Sequence, residues 1–343
     1  MPEQDPLATS HAAIPPEPGD YAELPGGILW IRLPIPGALR HINVWLVPAP
    51  GGWFLVDTGM RTDEVEAAWL TLEPKLPLAT GLRQIIVTHH HPDHFGMARW
   101  LAERHDAPVC MTGEAGAAST AALSETTEGS VQGSDGFARR FGIELDEPMT
   151  AILRGGIYRR IVSGLPCIER LEAGGRVAGA DRDWHVSVHW GHAPGHACLF
   201  DRQGSLLISG DQVLPRISSN VSLYPSNEDA DPLGEYLASL DSLAGLPEDT
   251  LVLPAHGPPF AGLHGRIEAL RAGHGLRLDR IVAACSEPQP TMEIVAGLFP
   301  LQRLDPLNRL LATTETLAHL RHLELQGRVR RESSACGLRW LSG

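Results

Sequence analysis

No run of about 18 apolar residues occurs in the chain, so no membrane-spanning helix is expected. No CxxC pair occurs either. The five cysteines (Cys110, Cys167, Cys198, Cys285 and Cys336) are odd in number and widely scattered. They read as buried, reduced thiols of a cytoplasmic protein rather than as a disulfide framework. Positive charge is scarce: Lys and Arg total 28 against 41 Asp and Glu, a formal net charge of -13. That balance disfavours broad attraction to nucleic acid or an anionic membrane. Residues 1–20 have neither a basic n-region nor an apolar h-region, so they read as a poorly ordered lead-in and not a signal peptide. Self-similarity at a period of about 20–50 residues, the mark of a solenoid, is also missing.

What the chain has is length. Its 343 residues can bury a large core without disulfides and exceed one average domain. From Gly27 to Asp57, short β-branched and aromatic runs broken by Gly and Pro predict an antiparallel meander. A helix is predicted over Thr62 to Leu72, where Val65, Ala68, Trp69 and Leu72 share a face. Gln84 to Val87 reads as a buried strand, Met97 to Arg104 as a helix and Pro108 to Met111 as a strand. The pattern loosens between about Gly113 and Ala180, which reads as an insertion or lid with basic helical pieces near Phe137 to Phe141 and Ile157 to Ile161. Strands follow at His185 to His189, Ser205 to Ser209 and Leu251 to Leu253. The recurring scheme is an apolar strand and then a loop carrying His or Asp, as layered α/β folds place ligand sites. A long helix is predicted over Arg266 to Ala284. Beyond Glu287 come a short helix (Thr291 to Leu298), a second helix (Leu310 to Gln326) and two strands (Arg328 to Arg331, Leu338 to Leu341). That order fits a small winged-helix-like domain over 286–343, behind a catalytic domain over 21–285.

The chemistry concentrates in His89-x-His91-x-Asp93-His94. These positions would not converge on one helix, because i and i+2 face apart, but on a tight loop at a strand end they can. Imidazoles and carboxylates suit divalent zinc, iron or manganese, and groups this dense suggest two ions. One loop cannot complete two coordination spheres. Three further candidates stand beside glycines, which let the backbone approach a metal closely: His196 after Pro194-Gly195, Asp211 after Gly210, and His256 before Gly257. His90 is expected to point away from the ions. His192 reads as a donor behind the ligands or as loop packing, and His105, His264 and His319 as surface or core residues. Tyr158, Arg159, Arg160 and Tyr224 are candidate cleft residues with packing or solvated-face readings beside them.

The set HxHxDH, a distant PGH, then GD and a late PAHG resembles the metallo-β-lactamase fold superfamily over about Leu24 to Leu270. The resemblance implies a four-layer αββα sandwich. It implies one ion held by His89, His91 and His196, a second held by Asp93, His94 and His256, and Asp211 bridging them. Val56-Asp57-Thr58-Gly59 is similar to a family strand-end motif whose Asp supports the metal loop, and Thr88 reads as a support too. Asp at the bridging position is similar to the glyoxalase II, lactonase and ribonuclease branches. Gly210 to Asn220, Pro232 to Leu240 and Glu315-Thr-Leu-Ala-His-Leu320 resemble a subgroup with an appended winged helix that includes the lactamase-like protein 2 ribonucleases. From those the Gly113 to Ala180 region departs.

The expected activity is hydrolysis of an ester, thioester or lactone of a small-molecule substrate by a metal-bound hydroxide, with Asp93 orienting the nucleophile and carrying a proton. A phosphodiesterase or endoribonuclease acting on single-stranded RNA is the runner-up, with Arg328, Arg330, Arg331 and Arg339 as its basic cluster. The same ligand set is also compatible with an iron-dependent oxygenase of this fold, and with a non-catalytic binder. The tail is otherwise expected to pack on the catalytic core or to form a homodimer.

Overall fold

A strand that is apolar at consecutive positions must bury both of its faces, and most strands of this chain are of that kind. The computed structural model describes residues 14–37, 39–124, 127–153, 158–334 and 337–343. Residues 1–13 of the lead-in, Ile157 and Cys336 lie outside the described residues. Seven strands form the first sheet in chain order: β1 (Asp20–Leu24), β2 (Ile28–Pro34), β3 (His41–Ala49), β4 (Gly52–Val56), β5 (Leu82–Ile86), β6 (Val109–Met111) and β7 (Ile168–Arg170). The first four pair antiparallel, and β4 to β7 run parallel. The second sheet holds β8 (Arg176–Ala178), β9 (Asp183–His189), β10 (His196–Asp201), β11 (Leu206–Gly210) and β12 (Leu251–Pro254), in the reverse spatial order.

Alternation along the strands separates three buried clusters. In β2, Ile28 and Trp30 face the second sheet while Leu29, Ile31 and Leu33 face outward. In β10, Ala197 and Leu199 face the first sheet while Cys198 and Phe200 face outward. Helices cover both outer faces. α1 (Asp63–Leu72), α2 (Pro92–Phe95) and α3 (Ala98–His105) lie on the first-sheet side, α1 contributing Val65, Trp69 and Leu72 to its cluster. Next in the chain come α4 (Gly113–Ser124), α5 (Thr127–Phe141) and α6 (Glu147–Leu153). Then α7 (Pro232–Leu243) and α8 (Leu263–Ala284) cover the second sheet through Leu233, Tyr236, Leu240, Ile267 and Leu270. The result is the αββα layering, with the inter-sheet cluster at its centre.

Local signals set the helix ends. Thr62 caps α1 by accepting the Val65 N–H at 3.2 Å, and Asp63, Glu64 and Glu66 occupy its first turn, where the helix dipole favours acid. The C-terminal segment contains α9 (Thr291–Leu298), α10 (Pro306–Leu325) and the hairpin β13 (Val329–Ser334) with β14 (Gly337–Ser342). α10 starts earlier than its apolar periodicity predicts. Asp305 accepts the Asn308 N–H at 2.9 Å and Pro306 takes the first helical position, a start signal independent of periodicity.

The 113–180 stretch differs from an insertion. Its last part, β7 and β8, completes both sheets, because Ile168 pairs with Val109 and Val177 with Trp184. Phe137 and Phe141 of α5 are core residues, packed in the same cluster as Leu317, Leu320 and Trp340 of the C-terminal segment. That segment therefore shares one hydrophobic core with the outer face of the second sheet. Cys110, Cys198 and Cys285 are buried and unpaired, but Cys167 is exposed, contrary to the reading of the thiols as buried.

Burial also leaves histidines neutral far from any catalytic role. His189 is pushed down to about 4 by burial, and His274 to about 4 by burial and then by the Arg277 charge. Such groups take up protons in the unfolded chain before they do in the folded one. Stability is therefore full above about pH 6.5 and lost as pH falls through about 4, by up to roughly 3 kcal/mol per histidine. Melting temperature should fall across that window. His274→Gln should flatten the fall while lowering the melting temperature at pH 7; an unchanged pH slope would count against this account.

Candidate metal centre

Four strands end at the same edge of the sandwich, and each is followed by a metal-capable side chain: His89 and His91 after β5, His192 after β9, Asp211 after β11 and His256 after β12. Asp93 and His94 do not sit on an irregular loop. They lie on α2, a single helical turn opened by Pro92 at its first position, with the His94 ring 4.0 Å from that of His89, centroid to centroid. The structure thus forms two groups: His89, His91, His192 and Asp211, and Asp93, His94 and His256. Within each group one ligand atom per residue lies within 4.8 Å of every other.

Asp211 faces both groups. Its Oδ2 is 3.5 Å from His192 Nε2, and its Oδ1 is 3.5 Å from His94 Nε2 and 3.4 Å from His256 Nε2. His89 Nε2 and His192 Nε2 approach to 3.2 Å. Asp93 Oδ2 lies 3.2 Å from His256 Nε2 and 3.6 Å from His94 Nε2. His94 Nε2, His256 Nε2 and Asp211 Oδ1 are buried without a hydrogen-bond partner. Buried polar atoms are normally satisfied, so lone pairs converging on shared points fit a cation.

His196 is not among these ligands. It begins β10, pairs with His189 across the sheet, and its Nε2 accepts the Asp211 N–H at 3.1 Å. The lone pair that would bind an ion is used to hold the Gly210–Asp211 turn. Gly210, at φ +50°, is required there, since a Cβ would stand 2.6 Å from the His196 ring. His192 takes the position assigned to His196. His192 follows a strand, whereas His196 starts one, a distinction that the sheet register supplies. His90 stands outside both groups, as expected of a residue pointing away from the ions. It lines the adjoining cavity, its Nδ1 is buried and unpartnered, and its backbone oxygen accepts from the Tyr158 hydroxyl.

Four of the seven residues, His89, His94, His192 and His256, are held from behind. Asp57, in the left-handed region at φ +64°, accepts the Thr88 N–H at 2.8 Å and meets His94 Nδ1 at 2.7 Å. Thr88 Oγ1 lies 3.0 Å from His89 Nδ1. His192 Nδ1 donates to Asn220 O at 2.8 Å and His256 Nδ1 to His41 O at 2.9 Å, which leaves both Nε2 lone pairs for the ion. Sequence reasoning missed Asn43. It is fully buried, and its Nδ2 donates to Pro254 O at 2.8 Å and Gly257 O at 2.7 Å, clamping the loop that carries His256. Such supports tune metal affinity.

The two groups differ electrostatically. Burial, then neighbouring imidazoles, holds His89 and His91 well below the ordinary histidine range. Burial also lowers His192, against the pull of Asp211. Burial opposes charge on His94, but Asp57, Asp93 and Asp211 outweigh it and hold the proton on; Asp211 and Asp93 raise His256 likewise. Burial pushes the Asp211 and Asp93 carboxyls up, yet the imidazoliums of His256 and His94 draw Asp211 well below its usual range, and His94 with His256 lowers Asp93. The imidazoles of the first group are neutral donors, while those of the second must exchange protons for a cation.

The family model described as Metallo-beta-lactamase superfamily matches residues 37–256, and one described as Metallo-beta-lactamase-like, C-terminal domain matches residues 278–341. The chain is 35% identical to a beta-lactamase domain protein from Burkholderia ambifaria of known structure, covering 97% of each chain with a TM-score of 0.87. It is 30% identical to a metallo-beta-lactamase family protein from Thermus thermophilus, covering 93% of this chain and 99% of that one with a TM-score of 0.79. A probable metallo-hydrolase of Bacillus subtilis (strain 168), YqjP, is 26% identical over 313 residues, 87% of this chain and 92% of the relative.

The exchange of His196 for His192 is directly testable. His192→Ala should lower bound metal, measured by elemental analysis of dialysed protein. His196→Gln, which keeps an acceptor for the Asp211 N–H, should leave metal content near that of the parent. The reverse pattern would restore His196 as the ligand.

Proposed function

Because the chain belongs to the metallo-beta-lactamase superfamily, we propose that it is a binuclear metallo-hydrolase cleaving an ester, thioester or lactone of a small molecule. The observation that carries this reading is Asp211, one oxygen turned to each of two ligand groups. His89, His91 and His192 would hold one divalent ion and Asp93, His94 and His256 the other, with Asp211 shared. Zinc suits this donor set, as do iron and manganese. Bound divalent ions lower the pKa of water from 15.7 towards about 7 and polarise a carbonyl oxygen.

The chain supplies the rest. The Asp93 side chain is 17% exposed against 11% for Asp211, so it is the carboxylate more open to the cavity. It orients the attacking water, takes its proton and passes it to the departing oxygen or sulfur. The buried neutral imidazoles keep water out of the floor, where each polar contact counts for more than it would in solvent.

Phosphodiester cleavage ranks lower because the tail arginines are already engaged. Arg331 meets Glu324 at 2.6 Å, Arg328 meets Asp279 at 3.1 Å, Arg330 meets Glu332 at 3.2 Å, and Arg339 donates to Pro288 O at 3.3 Å. No helix among the described residues is long and apolar enough to cross a membrane. Three buried, unpaired thiols fit a reducing compartment such as the cytoplasm.

Metal-loaded protein should hydrolyse members of a panel of aryl esters, acyl thioesters and lactones, and chelation should remove that activity. Asp93→Asn should lower kcat by about 100-fold or more. Metal-free protein that remained fully active on the same substrate would overturn the proposal.

A further inference from the structure

The metal ligands form the floor of a cavity of about 890 Å³, at the upper end for small-molecule sites. Its walls include the loop after β2, α6, the loop after β11, and the C-terminal α9–α10 region. Ile152, Phe299 and Leu311 line the interior. Leu39, Ile217 and Leu307 line it too, and they are 40%, 47% and 49% exposed. Large apolar side chains left open together around a cleft mark a surface that a ligand covers.

Charge narrows the occupant further. Among the described lining residues none is Lys or Arg. The carboxylates are Asp93 and Asp211 on the floor and Glu315, whose Oε1 is held from behind by Arg277 at 2.6 Å. A phosphate, a sulfonate or a second carboxylate on the substrate would find no cation in these walls, and would be desolvated without compensation.

We infer that the substrate carries an uncharged, extended hydrocarbon tail on its scissile carbonyl, seated against the C-terminal helices. The inference rests on the hydrolase reading above and names the substrate class of that same site. It also gives the appended segment a task, since Phe299, Leu307 and Leu311 supply one wall of the tail's groove.

The test is a series of p-nitrophenyl esters from acetate to decanoate, with a terminally carboxylated ester of matched length, assayed on metal-loaded protein. kcat/KM should rise along the series by up to about fourfold per methylene, and the carboxylated ester should fall well below its neutral counterpart. Leu307→Asp and Leu311→Asp should each cut the decanoate-to-acetate ratio at least tenfold. An active enzyme with a flat or falling profile, or one that prefers the charged tail, would overturn the inference and leave the hydrolase reading standing. If no ester of the series is cleaved, the tail is judged on binding alone. Calorimetric affinity for 1-octanol well above that for 1-butanol would sustain the groove, and equal affinities would overturn it.

Discussion

The structure depends on one costly arrangement: five imidazoles and two carboxylates desolvated around shared points, with Asp211 common to both groups. Three of their ligand atoms are buried without a hydrogen-bond partner. Burying such atoms unsatisfied costs on the order of 1–3 kcal/mol each. A cation relieves the cost at all of them together, and a single proton cannot. The rest of the fold can be understood as the scaffold that holds these groups in a position they would otherwise leave.

That scaffold is stiff for a simple reason. The central strands of both sheets are apolar on both faces, so each of these is pinned between two packed layers. Strand ends at one edge of such a sandwich have little freedom, and short loops there inherit it. Asp57, Asn43, Thr88 and His196 then convert rigid strand ends into fixed ring orientations, through hydrogen bonds of 2.7–3.1 Å. Site precision comes from the core and is passed on through these few polar contacts.

The strands were legible in the sequence because burial on both sides leaves a continuous apolar run, as in Ile28 to Ile31. The dense HxHxDH segment was legible because four metal-capable side chains in six positions have no packing use. What was not legible was long-range choice. Two histidines four residues apart, His192 and His196, spell the same local chemistry, and only the sheet register shows that one starts a strand while the other caps a loop. Asn43 was silent for a similar reason: its partners, Pro254 and Gly257, are more than two hundred residues away. The 113–180 stretch misled because β7 and β8 are three residues each, too short to display a period, although both complete the sheets.

The same long-range logic joins the C-terminal segment to the metal centre. Leu223 donates its N–H to Thr314 O at 3.0 Å, and Ser222 Oγ meets Thr314 Oγ1 at 2.9 Å. Ser222 Oγ also donates to Asn220 Oδ1 at 2.6 Å. The Asn220 backbone oxygen, in turn, receives the Nδ1 proton of His192. A chain of polar contacts therefore runs from the middle of α10 through residues 220–223 to the imidazole of His192. Without α10 the loop would lose its anchors and His192 the acceptor that sets its tautomer. The ligand set drawn from strand ends would then be one member short. The appended helices are thus built into the centre twice, once as apolar wall and once as the support of an imidazole, and the shared hydrophobic core is what lets them do both.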